Sequence, residues 1–257
     1  MESIDVQRTD GIVTITLQRP EKKNAINGVM WDELLATFRE IAASSSDRAV
    51  VITGAGGAFC SGADLTARSD GPQKHQLAAM RHVSDVCLAL ARLPQPVIAK
   101  VRGVAVGAGC NLALGCDLVV ASTTARFSEI FAKRGLSVDF GGTWVLPRRV
   151  GLHRAKELAF FGDIIDAAEA QRIGLVNRVV DDDDIDAFVD EWARRLAAGP
   201  PLAVAMTKRM LNNSMNVTLE EALDDEGAAQ TVNFSTHDTV EAIRAFVEKR
   251  TPKFEGR

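Results

Sequence analysis

The chain has 257 residues, of which 46% are hydrophobic and 25% charged, and its formal net charge is −4. These values describe an ordinary globular chain that can bury a large core, and the slightly acidic balance argues against a nucleic-acid partner. No apolar stretch approaches the roughly eighteen residues that a membrane span needs, so we expect no membrane association.

The N-terminus and the cysteine and histidine positions bear on location and on metal chemistry. Residues 1–11 are polar and acidic, without the pattern of a secretory or transit peptide. The four cysteines lack metal-ligand spacing, and no two histidines stand three or four residues apart. We therefore expect a cytoplasmic protein with reduced thiols and no metal site.

Strand and helix patterns alternate along the first part of the chain. The predicted elements are a strand over 11–17, a helix over 27–44, a buried strand over 49–53, a polar loop over 67–74, a helix over 75–93, a buried strand over 97–101, a short helix over 111–114 and a strand over 118–121. This alternation is typical of a parallel-rich α/β core.

The second part of the chain is predicted to be mainly helical. The helices are expected over 144–149, 154–161, 185–198, 202–213, 219–234 and 239–248, with an edge strand over 175–180. We expect an α/β core over 1–200 and a helical region over 201–257. Amphipathic helices in so long a tail pack on their own core or on a neighbouring subunit.

Two glycine-rich turns, Gly54–Asp64 and Gly103–Leu112, follow predicted buried strands, and Asp139 stands later in an apolar run. Backbone N–H groups can stabilise a developing oxyanion, and one carboxylate can move a proton. Each turn alone would also fit close packing of strand against helix. A dinucleotide site is disfavoured, because Phe59 and Leu112 stand where the third glycine of that fingerprint belongs.

Longer segments carry a more specific resemblance. They are Arg19–Asn27 (RPEKKNAIN), Ala58–Leu65 (AFCSGADL), Pro96–Leu114 (PVIAKVRGVAVGAGCNLAL), Gly141–Gly151 (GGTWVLPRRVG), Ala167–Val176 (AAEAQRIGLV) and Lys249–Arg257 (KRTPKFEGR). In this order, and over nearly the whole chain, they resemble the enoyl-CoA hydratase/isomerase (crotonase) superfamily.

The resemblance implies a spiral of ββα units with C-terminal helices that pack homotrimers, often paired as hexamers. It also implies an acyl-CoA substrate, with coenzyme A entering only as part of the thioester and no separate cofactor. By position, the N–H groups of Ala63 and Ala108 would form the oxyanion pair. Ala108 stands where the family usually has the middle glycine of three, and this exchange keeps the N–H.

The resemblance also bears on the reaction. Hydratases of this superfamily use two glutamates, whose positions here hold Asn111 and Phe131. Asp139 instead stands where isomerase-type members, including those of phenylacetate-degradation type, carry their aspartate. Its apolar flanks predict a raised carboxyl pKa, which suits a group that accepts and returns a proton. We therefore expect Asp139 to shift a double bond from 3-enoyl-CoA to 2-enoyl-CoA.

Further residues are expected to contact the substrate. Asn111 could orient the substrate or a water molecule, or could instead have a structural role at a helix start. Phe131 and Trp144 are expected in the pocket wall. By position in the family, the residues near the coenzyme A moiety would be Lys23, Ala25, Asp64, Lys253 and Phe254, with Phe254 covering the adenine from this subunit or a neighbouring one.

Three alternatives remain open at this point. A hydratase could use a displaced carboxylate such as Glu129, which lies two residues from the family position. An aryl-CoA dehalogenase would use the aspartate as a nucleophile with a helical histidine, and His82 stands about two residues out of that register. A non-catalytic acyl-CoA binder would have kept the pocket and lost the chemistry.

Overall fold

This computed structural model describes residues 1–66 and 75–257, so the predicted polar loop over 67–74 lies outside the described residues. The strands are β1 Ile4–Thr9, β2 Ile12–Leu17, β3 Ala49–Gly54, β4 Val97–Val101, β5 Val104–Val106, β6 Leu118–Ser122, β7 Arg126–Ser128, β8 Ile165–Asp166 and β9 Arg178–Val180. The α-helices are α1 Gly28–Ala43, α2 Gln76–Ala91, α3 Ala108–Leu114, α4 Gly142–Val150, α5 Leu152–Phe161, α6 Ala167–Arg172, α7 Ile185–Ala197, α8 Pro201–Asn213, α9 Leu219–Phe234 and α10 His237–Glu248.

The strands form one large and one small sheet. The large sheet has six strands in the order β1-β2-β3-β4-β6-β9. β1 and β2 pair antiparallel, whereas every later neighbour in this sheet pairs parallel. The small sheet has the order β5-β7-β8, with β5 parallel and β8 antiparallel to β7. The parallel-rich α/β core is therefore confirmed.

Side chains alternate across the large sheet and build a core on each face. On β3, Val50 and Ile52 point into the larger core, while Val51 points into a smaller core with residues of α7. This period of two is what a strand buried on both faces requires. Because both faces are covered, chemistry is left to the loops at the strand ends.

Several predicted elements match the structure closely, and a few differ. The strand over 97–101 and the helix over 219–234 have the predicted bounds, and β9 lies at a sheet edge as expected. The predicted helix over 111–114 was wrong at its start, since α3 begins at Ala108. Gly107 adopts φ +55°, a left-handed conformation that turns the chain three residues earlier than expected. β1 and the small sheet were not predicted.

The last three helices, α8 to α10, fall within the expected helical region. α8 reaches the sheet through Lys208, whose Nζ lies 2.7 Å from Asp117 Oδ2 just before β6. This helix therefore packs near the N-terminal ends of the parallel strands. Over the described ranges 1–66 and 75–257, no helix is long and apolar enough to cross a membrane.

Candidate active site

Ala63 presents its backbone N–H at the end of the first glycine-rich turn. Ile26 pairs with it in an isolated parallel bridge, in which Ile26 N donates to Gly62 O and Asp64 N donates to Ile26 O, at 2.8 and 2.9 Å. The bridge thus uses the groups on either side of Ala63. Within the described residues the Ala63 N–H has no acceptor, and the residue is exposed. It is free to bind a ligand oxygen.

Ala108 presents a second such N–H at the first position of α3. The first N–H groups of a helix have no intrahelical acceptor. The preceding residue, Gly107, is fixed by donation from its own N–H to Ser128 O at 2.8 Å. In the part of the chain that the structure describes, the Ala108 N–H makes no hydrogen bond, although the residue is 2% exposed. A buried donor without a partner is costly unless a ligand satisfies it.

The two turns lie side by side. Cys60 N donates to Val104 O, and Val106 N donates to Cys60 O, both at 2.9 Å. Gly62, at φ +101°, approaches the second turn so closely that a β-carbon there would lie 2.9 Å from Val106 O and 3.8 Å from Ala108 N. The structure therefore brings the predicted pair of amides together in one place.

The segment 19–27 buttresses the Ala63 turn. The buried Asn24 amide donates to Ala55 O and Ala58 O at 2.9 and 2.7 Å, and its Oδ1 accepts from Arg19 N. Lys23 lies beside the turn, since its backbone oxygen accepts from Ser61 N at 2.9 Å, and its side chain is exposed. Sequence reasoning passed over Asn24, although asparagine favours tight turns and tolerates the positive φ that it adopts here.

Asp64 and Ala25 complete this buttress. Asp64 Oδ2 lies 2.9 Å from the Arg19 guanidinium, and Oδ1 accepts from both the hydroxyl and the backbone N–H of Thr66. The Thr66 hydroxyl and the Arg19 guanidinium lower the pKa of Asp64 to about 2. Ala25 is buried, and its carbonyl accepts from the same guanidinium. Both predicted residues thus border the first amide, with Asp64 engaged in holding the loop.

Asp139 lies in the turn that leads into α4. The next residue, Phe140, is buried at φ +47° and stacks on Trp31 of α1 with ring centroids 5.2 Å apart. Burial raises the pKa of Asp139 to about 6, as its apolar flanks predicted. Its Oδ1 is enclosed, and among the described residues it has no hydrogen-bond partner and no ion pair. Such a carboxyl is available to accept a proton near neutral pH.

Asn111 connects the Asp139 turn to α3. Its Nδ2 donates to Asp139 O at 2.9 Å and to Glu129 Oε2 at 3.3 Å. Gly142 leaves room for this amide, because a β-carbon there would lie 2.6 Å from Asn111 Cγ. Asn111 sits three residues inside α3, so it does not start the helix. It ties the Asp139 backbone to a position on α3 that lies about one helical turn, roughly 5 Å along the axis, from Ala108.

Glu129 joins this group from the end of β7. Its side chain is 2% exposed, and burial raises its pKa to about 7, with a further increase from the charge on Asp139. Residues of mainly apolar character surround it, namely Cys110, Phe127, Ser128, Leu146, Leu158, Ile165 and Leu175. Glu129 thus reaches Asn111 from the interior, on the side away from solvent.

Phe131 and Trp144 lie in different surroundings. Phe131 is buried against the second turn, with its Cζ 3.7 Å from where a β-carbon on Gly107 would be. It therefore forms apolar wall beside the Ala108 amide. Trp144 is 43% exposed on α4, and the Arg148 guanidinium stacks over its ring at 3.9 Å from the centroid.

Lys253 and Phe254 do not approach the amide pair within one chain. Phe254 O accepts from Arg48, which directly precedes β3, at 2.7 Å. The Ala63 turn follows the other end of β3, a strand about 17 Å long at the usual rise per residue. Contacts to α10 fix the tail there, since Lys253 N donates to Glu241 and Glu255 N donates to Asp238.

His82 and the other potential ligands are placed apart from this group. His82 Nε2 lies 2.8 Å from Asp32 Oδ1, so this histidine links α2 to α1. Over residues 1–66 and 75–257, no cluster of three or more His, Cys, Asp or Glu side chains could hold a metal ion. Among the described residues, two amides without an acceptor and one carboxyl without a partner lie in this region, and such groups can stabilise an enolate and move its proton.

Comparison with known proteins agrees with this chemistry. The family model described as enoyl-CoA hydratase/isomerase matches residues 7–257. The chain is 37% identical to 1,2-epoxyphenylacetyl-CoA isomerase of Escherichia coli (strain K12), with all of both chains covered. It is 35% identical to short-chain-enoyl-CoA hydratase of Clostridium acetobutylicum, covering 100% of this chain and 98% of the relative.

A solved structure supports the same assignment. The crystal structure of an enoyl-CoA hydratase from Bacillus anthracis matches with a TM-score of 0.95 and 34% identity, covering all of both chains. The fold is thus the crotonase fold that the resemblance implied, including the C-terminal helices. The chain belongs to the enoyl-CoA hydratase/isomerase family of acyl-CoA enzymes.

Proposed function

We propose that this enzyme shifts a double bond, converting a 3-enoyl-CoA to the conjugated 2-enoyl-CoA with Asp139 as its single acid/base. The observation that carries the proposal is the half-buried Asp139 carboxyl, which has no ion pair among the described residues. It is tied through Asn111 to the helix that begins with the free Ala108 amide. The two positions where hydratases carry glutamates hold Asn111 and Phe131.

The steps need no activated water. The thioester oxygen accepts hydrogen bonds from Ala63 N–H and Ala108 N–H. Asp139 removes a proton from C2, and the electrons of that C–H bond move into the enolate. The carboxylic acid so formed returns the proton to C4 as the C3=C4 bond becomes C2=C3. Each amide donor contributes a factor of about 10²–10³, because it binds charge that develops only during the reaction.

The relatives carry both isomerase and hydratase names, so a hydratase is the second candidate. One E. coli relative is named 1,2-epoxyphenylacetyl-CoA isomerase, and other relatives are named hydratases. Hydration is favoured by the bond between Asn111 and Glu129, which supplies a carboxyl near the site. It is disfavoured because Glu129 is 2% exposed and enclosed by apolar side chains, where it cannot deliver water.

The contacts with coenzyme A are proposed to come from two subunits. Lys23 would meet the phosphates in its own chain, because it borders the Ala63 turn. Lys253 and Phe254 would act across a subunit boundary, because they lie at the opposite end of β3. A homotrimer or hexamer is supported by large exposed apolar residues on the C-terminal helices, including Leu211, Leu219, Leu223, Phe234, Ile243 and Phe246. Sedimentation of the purified protein tests this assembly.

The function is tested by assaying trans-3-hexenoyl-CoA and crotonyl-CoA side by side with wild type and Asp139→Asn. We expect isomerisation with negligible hydration, and a loss of about 10²–10⁴-fold in kcat for the variant. Hydration of crotonyl-CoA that survives in Asp139→Asn would overturn the proposal in favour of Glu129. Acyl-CoA binding without turnover of either substrate would favour a binding protein.

A further inference from the structure

The Glu129 carboxyl is a buried ionisable group that the proposed mechanism leaves unused. Its Oε2 accepts from Asn111 Nδ2 at 3.3 Å, and its Oε1 is enclosed without a hydrogen-bond partner in the described part of the chain. The same Nδ2 donates to Asp139 O at 2.9 Å. One amide group therefore holds the backbone of the proposed base and the side chain of Glu129 together.

The orientation of this amide follows from its partners. Asp139 O is a carbonyl and can only accept, so the atom facing it must be the nitrogen of Asn111. The second proton on that nitrogen then points to Glu129. A protonated carboxyl keeps an oxygen that accepts this bond, so the link to Asn111 is compatible with a neutral Glu129.

Building on the proposed isomerase function, we propose that Glu129 is a positioning residue. It holds the Asp139 turn through the Asn111 amide, and it supports proton transfer only while its carboxyl is neutral. This role needs no contact between Glu129 and the substrate. Glu129 also stands at neither of the two positions where hydratases carry glutamates, which hold Asn111 and Phe131 here.

The surroundings of Glu129 explain why its neutral form is required. The titratable groups facing it are the Cys110 thiol from α3 and Asp139 from the turn before α4, and Cys87 of α2 faces Asp139 in turn. The residues around it from α4, α5 and β8, which are Leu146, Leu158 and Ile165, carry no charge. No described cation balances an ionised Glu129, so ionisation is costly in this enclosure.

Ionisation would disturb the site in two ways. The charged carboxyl would be driven toward water and would pull on residues 130–139, which lead directly from it to Asp139. It would also place a second negative charge beside the enolate, where the low dielectric strengthens repulsion. Burial raises the pKa of Glu129 to about 7 and that of Asp139 to about 6, so the active state has Asp139 ionised and Glu129 neutral.

The experiment measures kcat/KM on trans-3-hexenoyl-CoA from pH 5 to pH 9 for wild type and Glu129→Gln. Wild type is expected to rise through about pH 6, as Asp139 ionises, and to fall through about pH 7, as Glu129 ionises. Glu129→Gln keeps the shape and the acceptor but cannot ionise. It should keep the rise, lose the fall and exceed wild type about tenfold at pH 8, one unit above the pKa.

A second variant, Cys110→Ala, tests the inference independently if Glu129→Gln fails to fold. The Cys110 thiol faces Glu129 and lowers its pKa, so Cys110→Ala should move the fall to higher pH. A wild-type profile that stays flat from pH 7 to pH 9, or a fall that persists in Glu129→Gln, would overturn the inference. Activity retained in Asp139→Asn would instead overturn the proposed function, so the two failures are distinguishable.

Discussion

The polar groups at the two ends of the parallel strands differ in how far they are hydrogen-bonded within the chain. At the N-terminal ends, Asp117 accepts from Val97 N at 2.7 Å and lies 2.7 Å from Lys208, which also donates to Gln95 O. At the C-terminal ends, the amides of Ala63 and Ala108 find no acceptor within the described residues. At the first end Asp117, Lys208 and Val97 N are satisfied by the chain itself, although Gln95 Oε1 is buried there without a partner among the described residues. At the second end the two amides are available to a ligand.

Asp117 and Asp139, one at each end, show the consequence of this difference. Asp117 and Asp139 both precede regular elements and both lie partly buried. Asp117 is paired and holds helix α8 against the sheet, so its contribution is to stability. Asp139 has no ion pair among the described residues, and its pKa is raised, which costs stability and fits its proposed role as the acid/base. Within the described residues, the two unpartnered backbone amides and the unpaired Asp139 carboxyl all lie toward the C-terminal ends of the strands.

The largest effect is expected from removing the Ala108 N–H, which has no acceptor among the described residues. Ala108→Pro deletes the N–H at the first position of α3, where proline is well tolerated. We expect kcat to fall about 10²–10³-fold with little change in melting temperature. Ala108→Gly keeps the N–H and should retain activity near wild type. Equal loss in both variants would contradict an oxyanion role for this amide.

A second prediction concerns the contact that places Asp139. Gly142→Ala introduces a β-carbon 2.6 Å from Asn111 Cγ, which must displace the amide that holds the Asp139 turn. We expect loss of activity and a decrease of about 3 kcal/mol in the free energy of unfolding. Gly28→Ala, at a position with open space for a β-carbon, is the matched control. Denaturant titration and turnover measured together check both effects.

The satisfied end of the sheet should respond in stability alone. Lys208→Met removes the ion pair with Asp117 while keeping an apolar side chain on α8. We expect a loss of about 2 kcal/mol in the free energy of unfolding, because both side chains are largely shielded from solvent. Turnover per folded enzyme should not change. A change in kcat with stability intact would mean that the two ends are coupled.

The smallest expected effect is an increase in the free energy of unfolding, in the variant Asp139→Asn. The pKa of Asp139 is raised from 3.8 to about 6 in the folded protein, so the wild type loses stability as pH rises through this interval. Asp139→Asn should therefore be more stable than wild type by about 1 kcal/mol at pH 8, a value reduced for partial exposure. The advantage should be absent at pH 3. Thermal unfolding at both pH values measures it.

Much of the fold could be predicted because its long elements carry clear periodicity. The run Val97–Val101 is apolar except for Lys100 and stands between Pro96 and Gly103, and it forms β4 with the predicted bounds. β1 was missed because its residues are mostly polar and its outer edge is exposed, which leaves little alternation to detect. The small sheet was missed because strands of two or three residues show no period.

Only those parts of the site that depend on local sequence and strand order could be predicted. The turns of Ala63 and Ala108 follow adjacent strands, so their meeting follows from the sheet order. The inward direction of the Glu129 side chain depends on how the chain turns after β7. The spacing of residues in the sequence does not predict this turn. The distance of Phe254 from the amides depends on how α8 to α10 fold back, and this follows from tertiary contacts such as that with Arg48.

The central claim is that Asp139 moves the C2 proton while the two amides hold the enolate. The most direct measurement is deuterium exchange at C2 of trans-3-hexenoyl-CoA in deuterated water, followed by NMR for wild type and Asp139→Asn. This readout reports proton abstraction whatever the enolate then becomes. We predict exchange and isomerisation by wild type and neither by the variant, with acyl-CoA binding retained. Exchange at the wild-type rate in Asp139→Asn would contradict the account.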